Sequence, residues 1–102
     1  MTTRRKSAAL TFLEKLAGPL TFGRAIEAIR LGEEMSQAAF ARELGVSRAH
    51  LCDIEKGRKA VSPERAARFA TKLGYSDKQF IRLALQDQVD RAGLKLTVDV
   101  HP

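Results

Sequence analysis

A chain of 102 residues has room for one compact domain with short arms, and its 44% hydrophobic content can fill only a small core. A single cysteine excludes a disulfide framework, and no apolar run approaches the ~20 residues of a membrane span, so a soluble cytoplasmic protein is expected. The net charge of +6, with 6% aromatics and no Trp, favours packed helices and a polyanionic partner.

The positive charge is uneven. Residues 1–21 carry Arg4, Arg5, Lys6 and Lys15 against Glu14, residues 22–75 carry ten basic and seven acidic groups, and residues 76–102 carry four of each. The charge that seeks phosphate therefore belongs to the N-terminal arm and the middle. Arg4-Arg5-Lys6 could open a secretory leader, but Thr11, Glu14 and Lys15 break the apolar stretch behind it.

In chain order, residues 1–20 read as a basic arm containing a short amphipathic helix over 7–17 (Ala9, Phe12, Leu13, Leu16), stopped by Gly18-Pro19. Thr21 then caps a helix that ends near Gly32 and turns Phe22, Ala25, Ile26 and Ile29 inward. Ser36 and Gly45 bracket the next, with Phe40, Ala41 and Leu44 inward. Ser47 and Gly57 bracket a third, with Leu51 and Ile54 inward, and Ser62 and Gly74 a fourth, with Ala66, Phe69, Ala70 and Leu73 inward. Pro63 suits the first helical position after Ser62. Ser76 with Gln79 forms a capping-box pattern for a fifth helix running toward Gly93, whose expected inward residues are Phe80, Ile81, Ala84, Leu85 and Val89. Met35 and Val46, in the connections, should plug the same core.

Residues 94–102 form a distinct C-terminal segment. Leu94, Leu96, Val98 and Val100 alternate with polar residues, which predicts a half-buried strand. No other strand is expected, and an unpaired apolar strand is unstable, so it should pair with a second copy across a two-fold axis or with another protein's sheet edge.

Residues 36–57 carry the functional signal. Only Gly45 and Val46 separate the second helix from the Ser47 cap, so the two helices must cross steeply and leave the second one proud. The stretch Met35-Ser-Gln-Ala-Ala-Phe-Ala-Arg-Glu-Leu-Gly-Val-Ser-Arg-Ala-His-Leu-Cys-Asp-Ile-Glu-Lys-Gly57 resembles the helix-turn-helix of the XRE family, which includes lambdoid repressors and many antitoxins. The resemblance runs from about Phe22 to Tyr75. It implies an all-α, five-helix, lambda-repressor-like DNA-binding domain over residues 21–93.

With Leu51 and Ile54 inward, the wheel turns Arg48, Ala49, Cys52, Asp53 and Lys56 outward. Arg48 can donate twice to guanine O6 and N7, Ala49 can touch a thymine methyl, and Asp53 can accept from cytosine N4. The family places base contacts at the same positions. Each has a plainer reading: Arg48 as a surface ion pair, Asp53 as the partner of Arg48 or Lys56, Cys52 as a small apolar bystander. His50 sits at the edge of this face, as contact or spectator. The resemblance implies that Gln37 and Ser47 hold phosphates from helix starts. Lys56, Arg58 and Lys59 should anchor the DNA backbone, unless they are only a solvated loop. Glu55 falls inward, where a lone carboxylate is costly. The family pairs the matching Glu with an Arg of the first helix, here Arg30, in a structural salt bridge.

These residues point to a homodimeric repressor of operator DNA, read at two half-sites about 34 Å apart. The resemblance extends this to an autoregulatory antitoxin, of HigA type or alternatively HipB type, paired with a RelE- or HigB-like toxin protein. The alternatives are a phage-type or stand-alone regulator and, in a different class, a protein–protein adaptor. Two distant histidines and one cysteine supply no metal cluster, nucleophile triad or phosphate loop, so neither enzyme activity nor a cofactor is expected.

Overall fold

The caps written in the sequence set the helices of the computed structural model, which describes residues 20–102. The arm and amphipathic helix expected over residues 1–19 lie outside the described residues. Helix α1 spans Phe22–Gly32, α2 Gln37–Leu44, α3 Arg48–Glu55, α4 Pro63–Leu73 and α5 Asp77–Arg91. Each begins at a hydroxyl residue in extended conformation whose side chain accepts an amide of the first turn: Thr21, Ser36, Ser47, Ser62 and Ser76. Such a cap satisfies one of the free donors that every helix start presents. Gly45 and Gly74 close α2 and α4 at φ +78° and +75°, where a side chain would be strained. After α1 the left-handed position falls instead on Glu34, at φ +55°.

The core is drawn from all five helices. Ile26, Phe40, Leu51, Ile54, Ala66, Ala70 and Phe80 are essentially sealed from solvent. Phe22 meets Phe80 edge-on, ring centroids 5.7 Å apart, which joins the start of α1 to α5. Helix α4 lies against α5, while α1 packs on α3 and α2 crosses α3. Met35, Val46 and Tyr75 pack against the cluster from the connections, and Leu20 and Val61 are buried with it.

Two expectations need correction. On α5 the buried side chains are Phe80, Leu83 and Ala84, whereas Ile81, Leu85 and Val89 are only half-buried. This helix is apolar on more than one side, so periodicity alone does not tell which stripe meets α1 and α4.

The second correction concerns residues 94–102. There is no strand among the described residues. The segment is instead held to α5 by one side-chain amide: Gln86 Nε2 donates to the Leu96 carbonyl (2.8 Å), and Gln86 Oε1 accepts the Val98 N–H (2.7 Å). Leu94 and Leu96 face solvent while Val98 and Val100 are half-buried. The alternation is real, but a strand is defined by a ladder of hydrogen bonds, and the chain supplies the equivalent of a single rung.

Candidate nucleic-acid interface

Helix α3 is positioned by a short corner and a buried ionic clamp. At the corner, the Gly45 amide returns to Arg42 and the Val46 amide to Ala41, at 3.2 and 3.0 Å. Lys72 of α4 adds its ammonium to the Leu44 carbonyl at 3.2 Å, so the exposed end of α2 is capped by a cation. Ala41, buried where α2 and α3 cross, lets the backbones approach.

At the far end of α3, Glu55 is the only buried charged residue among those described. Its carboxylate receives Arg30 Nε at 2.8 Å and Nη2 at 3.1 Å, a bidentate pair whose side chains are 13% and 1% exposed. Arg30 Nη1 also donates to the Met35 carbonyl (3.1 Å), and Gln37 Nε2 donates to Glu55 Oε1 (3.0 Å). The hydrogen bonding to Glu55 holds the Arg30 guanidinium above its ordinary pKa, against the opposing effect of burial. Three helices, α1, α2 and α3, are thereby tied to one carboxylate. Gln37, expected at a phosphate, has one amide proton committed to this network.

Gly23 is a site residue that sequence reasoning missed. A Cβ built there would overlap the carbonyl oxygen of Ile54 and stand 3.0 Å from that of Glu55. The start of α1 therefore seats directly on the last turn of α3, backbone against backbone. A glycine second in its helix was the available signal, but it reads equally as an indifferent position.

The opposite side of α3 is open. Arg48 and Ala49 are exposed on its first turn, with Ser47 at its start, and Lys56, Arg58 and Lys59 are exposed past its end. His50, Cys52 and Asp53 are half-buried between them. Asp53 pairs with neither Arg48 nor Lys56: its carboxylate takes Arg58 Nε at 2.8 Å and faces Lys59 Nζ at 3.9 Å. That hydrogen bond holds the Asp53 carboxyl below its ordinary range. Arg58 Nη2 lies 3.6 Å from Cys52 Sγ. Burial, then the charges of Arg65 and Lys59, push the His50 imidazole below its ordinary value, which favours its neutral form.

The result is a rigid helix of eight residues, about 12 Å long, presenting an edge flanked by cations. Its dimensions suit a major groove about 12 Å wide. No helix among the described residues is long and apolar enough to cross a membrane. Comparison with curated proteins and with solved structures returns no match. The helix-turn-helix family model matches residues 26–80, from the middle of α1 through the start of α5, which is more than half the chain. By that match, with α2, the glycine corner and α3 at its centre, the chain belongs to the XRE-type helix-turn-helix family of DNA-binding transcription regulators.

Proposed function

We propose that the protein is a sequence-specific transcriptional repressor that docks α3 in the major groove of its operator. The observation that supports this reading most strongly is the asymmetry of α3. One side is fixed by Leu51, Ile54 and the Arg30–Glu55 pair, and the other offers Arg48 and Ala49 to solvent. Arg48 would take guanine O6 and N7, and Ala49 would meet a thymine methyl. Ser47 and Gln37, at the starts of α3 and α2, would hold phosphates on either side, and Lys56 and Lys59 the backbone beyond.

One such helix spans only a few base pairs, so a homodimer on two half-sites would supply the specificity a regulator needs. Exposed Leu94 and Leu96 offer apolar surface for such an association. An antitoxin role rests on the family resemblance alone.

The reading is tested by equilibrium binding to a selected operator duplex and to random duplex across a salt series. Affinity for both should fall steeply with added salt, and Arg48→Ala should cost about 1–3 kcal/mol on the operator with little change on random DNA. Equal losses on both duplexes would remove Arg48 as a reader. Binding insensitive to salt would favour a protein–protein adaptor.

A further inference from the structure

The turn after α3 folds back onto the helix it leaves, and it does so through one residue. The Asp53 carbonyl accepts the amides of Arg58 (2.8 Å) and Lys59 (3.3 Å), across a reversal in which Gly57 takes φ +76°. The Asp53 carboxylate binds Arg58 Nε at 2.8 Å. Backbone and side chain of Asp53 thus fix the same arginine twice.

The direction this imposes matters. Arg58 does not extend away from the domain, as a phosphate anchor at the rim would. It runs back along α3 until Nη2 reaches Cys52, a residue of the outward face. A guanidinium has five N–H donors in a planar fork. Nε and one proton of Nη2 are engaged, which leaves both protons of Nη1 and one of Nη2, the terminal donors that bind an acceptor pair end-on. Side-chain exposure agrees: 58% for Arg58 against 27% for the Asp53 beneath it.

A carboxylate beside a phosphate anchor is a handicap, since it cancels the charge and repels the phosphate. A carboxylate beside a base reader is useful, because a long side chain held in its binding geometry loses less conformational freedom on docking. We propose that Arg58 is a base reader and Asp53 its positioning residue. Asp53 holds Arg58 Nε so that the terminal donors face the major groove beside Cys52 and take an acceptor pair such as guanine O6 and N7. The inference rests on α3 being the groove helix. It assigns Asp53 no base of its own.

The test is selection of binding sites from a random duplex pool by the full-length chain, followed by affinity measurements on each single-base variant of the site obtained. Arg58→Lys keeps the charge but not the fork, so discrimination at one base pair should fall by roughly five- to 150-fold, the worth of one bidentate contact. Asp53→Ala and Asp53→Asn should lose discrimination at that same base pair, while affinity for random duplex stays level or rises. Thermal unfolding identifies any variant that fails to fold, and the milder Asp53→Asn stands in for Asp53→Ala if it does. If Arg58→Lys keeps the wild-type motif and Arg58→Ala weakens every sequence alike, Arg58 is a phosphate anchor; this inference is then overturned and the groove reading survives. A wild-type chain that enriches no motif overturns both.

Discussion

The guanidinium of Arg30 and the carboxylate of Glu55 close on each other through two hydrogen bonds, at 2.8 and 3.1 Å, across 25 positions of sequence. Arg30 lies in the last turn of α1 and Glu55 is the last residue of α3. The pair therefore sets the angle at which α3 leaves the body. Breaking one side of a buried pair strands the other charge in a low-dielectric site. Arg30→Ala or Glu55→Ala should destabilise by about 3–5 kcal/mol in chemical denaturation. The Arg30→Met, Glu55→Leu double variant should recover much of that, because no charge is left unpaired. Equal destabilisation in the double and single variants would show that the pair contributes more than compensation for its own burial.

Gly23 predicts a second effect of the same kind, arising from shape rather than charge. Gly23→Ala places a methyl against the carbonyl oxygens of Ile54 and Glu55, both backbone atoms that cannot swing aside. In an exposed helix this change would stabilise. Here overpacking should cost about 1–3 kcal/mol and lower the melting temperature. A melting temperature at or above that of the wild type would mean that α1 does not seat on α3 this closely.

Glu34 points the other way. It is the one described non-glycine residue in the left-handed region, at φ +55°, and its amide donates to the Leu31 carbonyl at 3.0 Å to close α1. A Cβ in that conformation costs roughly 1–2 kcal/mol, which glycine avoids in exchange for greater freedom in the unfolded chain. Glu34→Gly should raise stability by about 0.5–1 kcal/mol in denaturant titration. A loss would mean that the Glu34 side chain makes a compensating contact.

The Asp53 carboxyl carries a pH dependence. Its folded pKa lies below the ordinary value of 3.8, chiefly through the hydrogen bond from Arg58, helped by the charges of Arg58 and Lys59. A depressed acid contributes its full stability above its unfolded pKa and loses that contribution progressively as pH falls from there through the lower, folded value. A carboxyl titration followed by NMR should place Asp53 below 3.8, and Arg58→Ala should move it upward. An unmoved midpoint in Arg58→Ala would show that the pair does not persist in solution.

The sequence made some of this structure legible and hid the rest, for reasons that differ by residue. Helix limits were readable because a Ser cap and a left-handed Gly each act over one turn, as at Ser36 and Gly45. The buried stripe of α5 was not, since Ile81, Leu85 and Val89 are as apolar as Leu83, and only the placement of α1 and α4 decides between them. Residues 94–100 showed true alternation, but alternation does not supply a partner strand. Gln86, ten positions before Leu96, gives the segment its hydrogen bonds instead. The outward face of α3 followed from Leu51 and Ile54 turning inward. The partner of Asp53 did not: helical spacing offers Arg48 and Lys56, whereas Arg58 arrives five residues later, around the turn at Gly57.

The most direct test of the central claim, that the open side of α3 is the DNA-reading surface, is a map of backbone amide shifts by NMR as a selected operator duplex is added. The largest changes should fall on Ser47, Arg48, Ala49 and Cys52, with smaller ones at Gln37 and at Lys56 to Lys59, and little along the outer side of α5. Changes concentrated on α5 and residues 94–102, with α3 silent, would contradict the account.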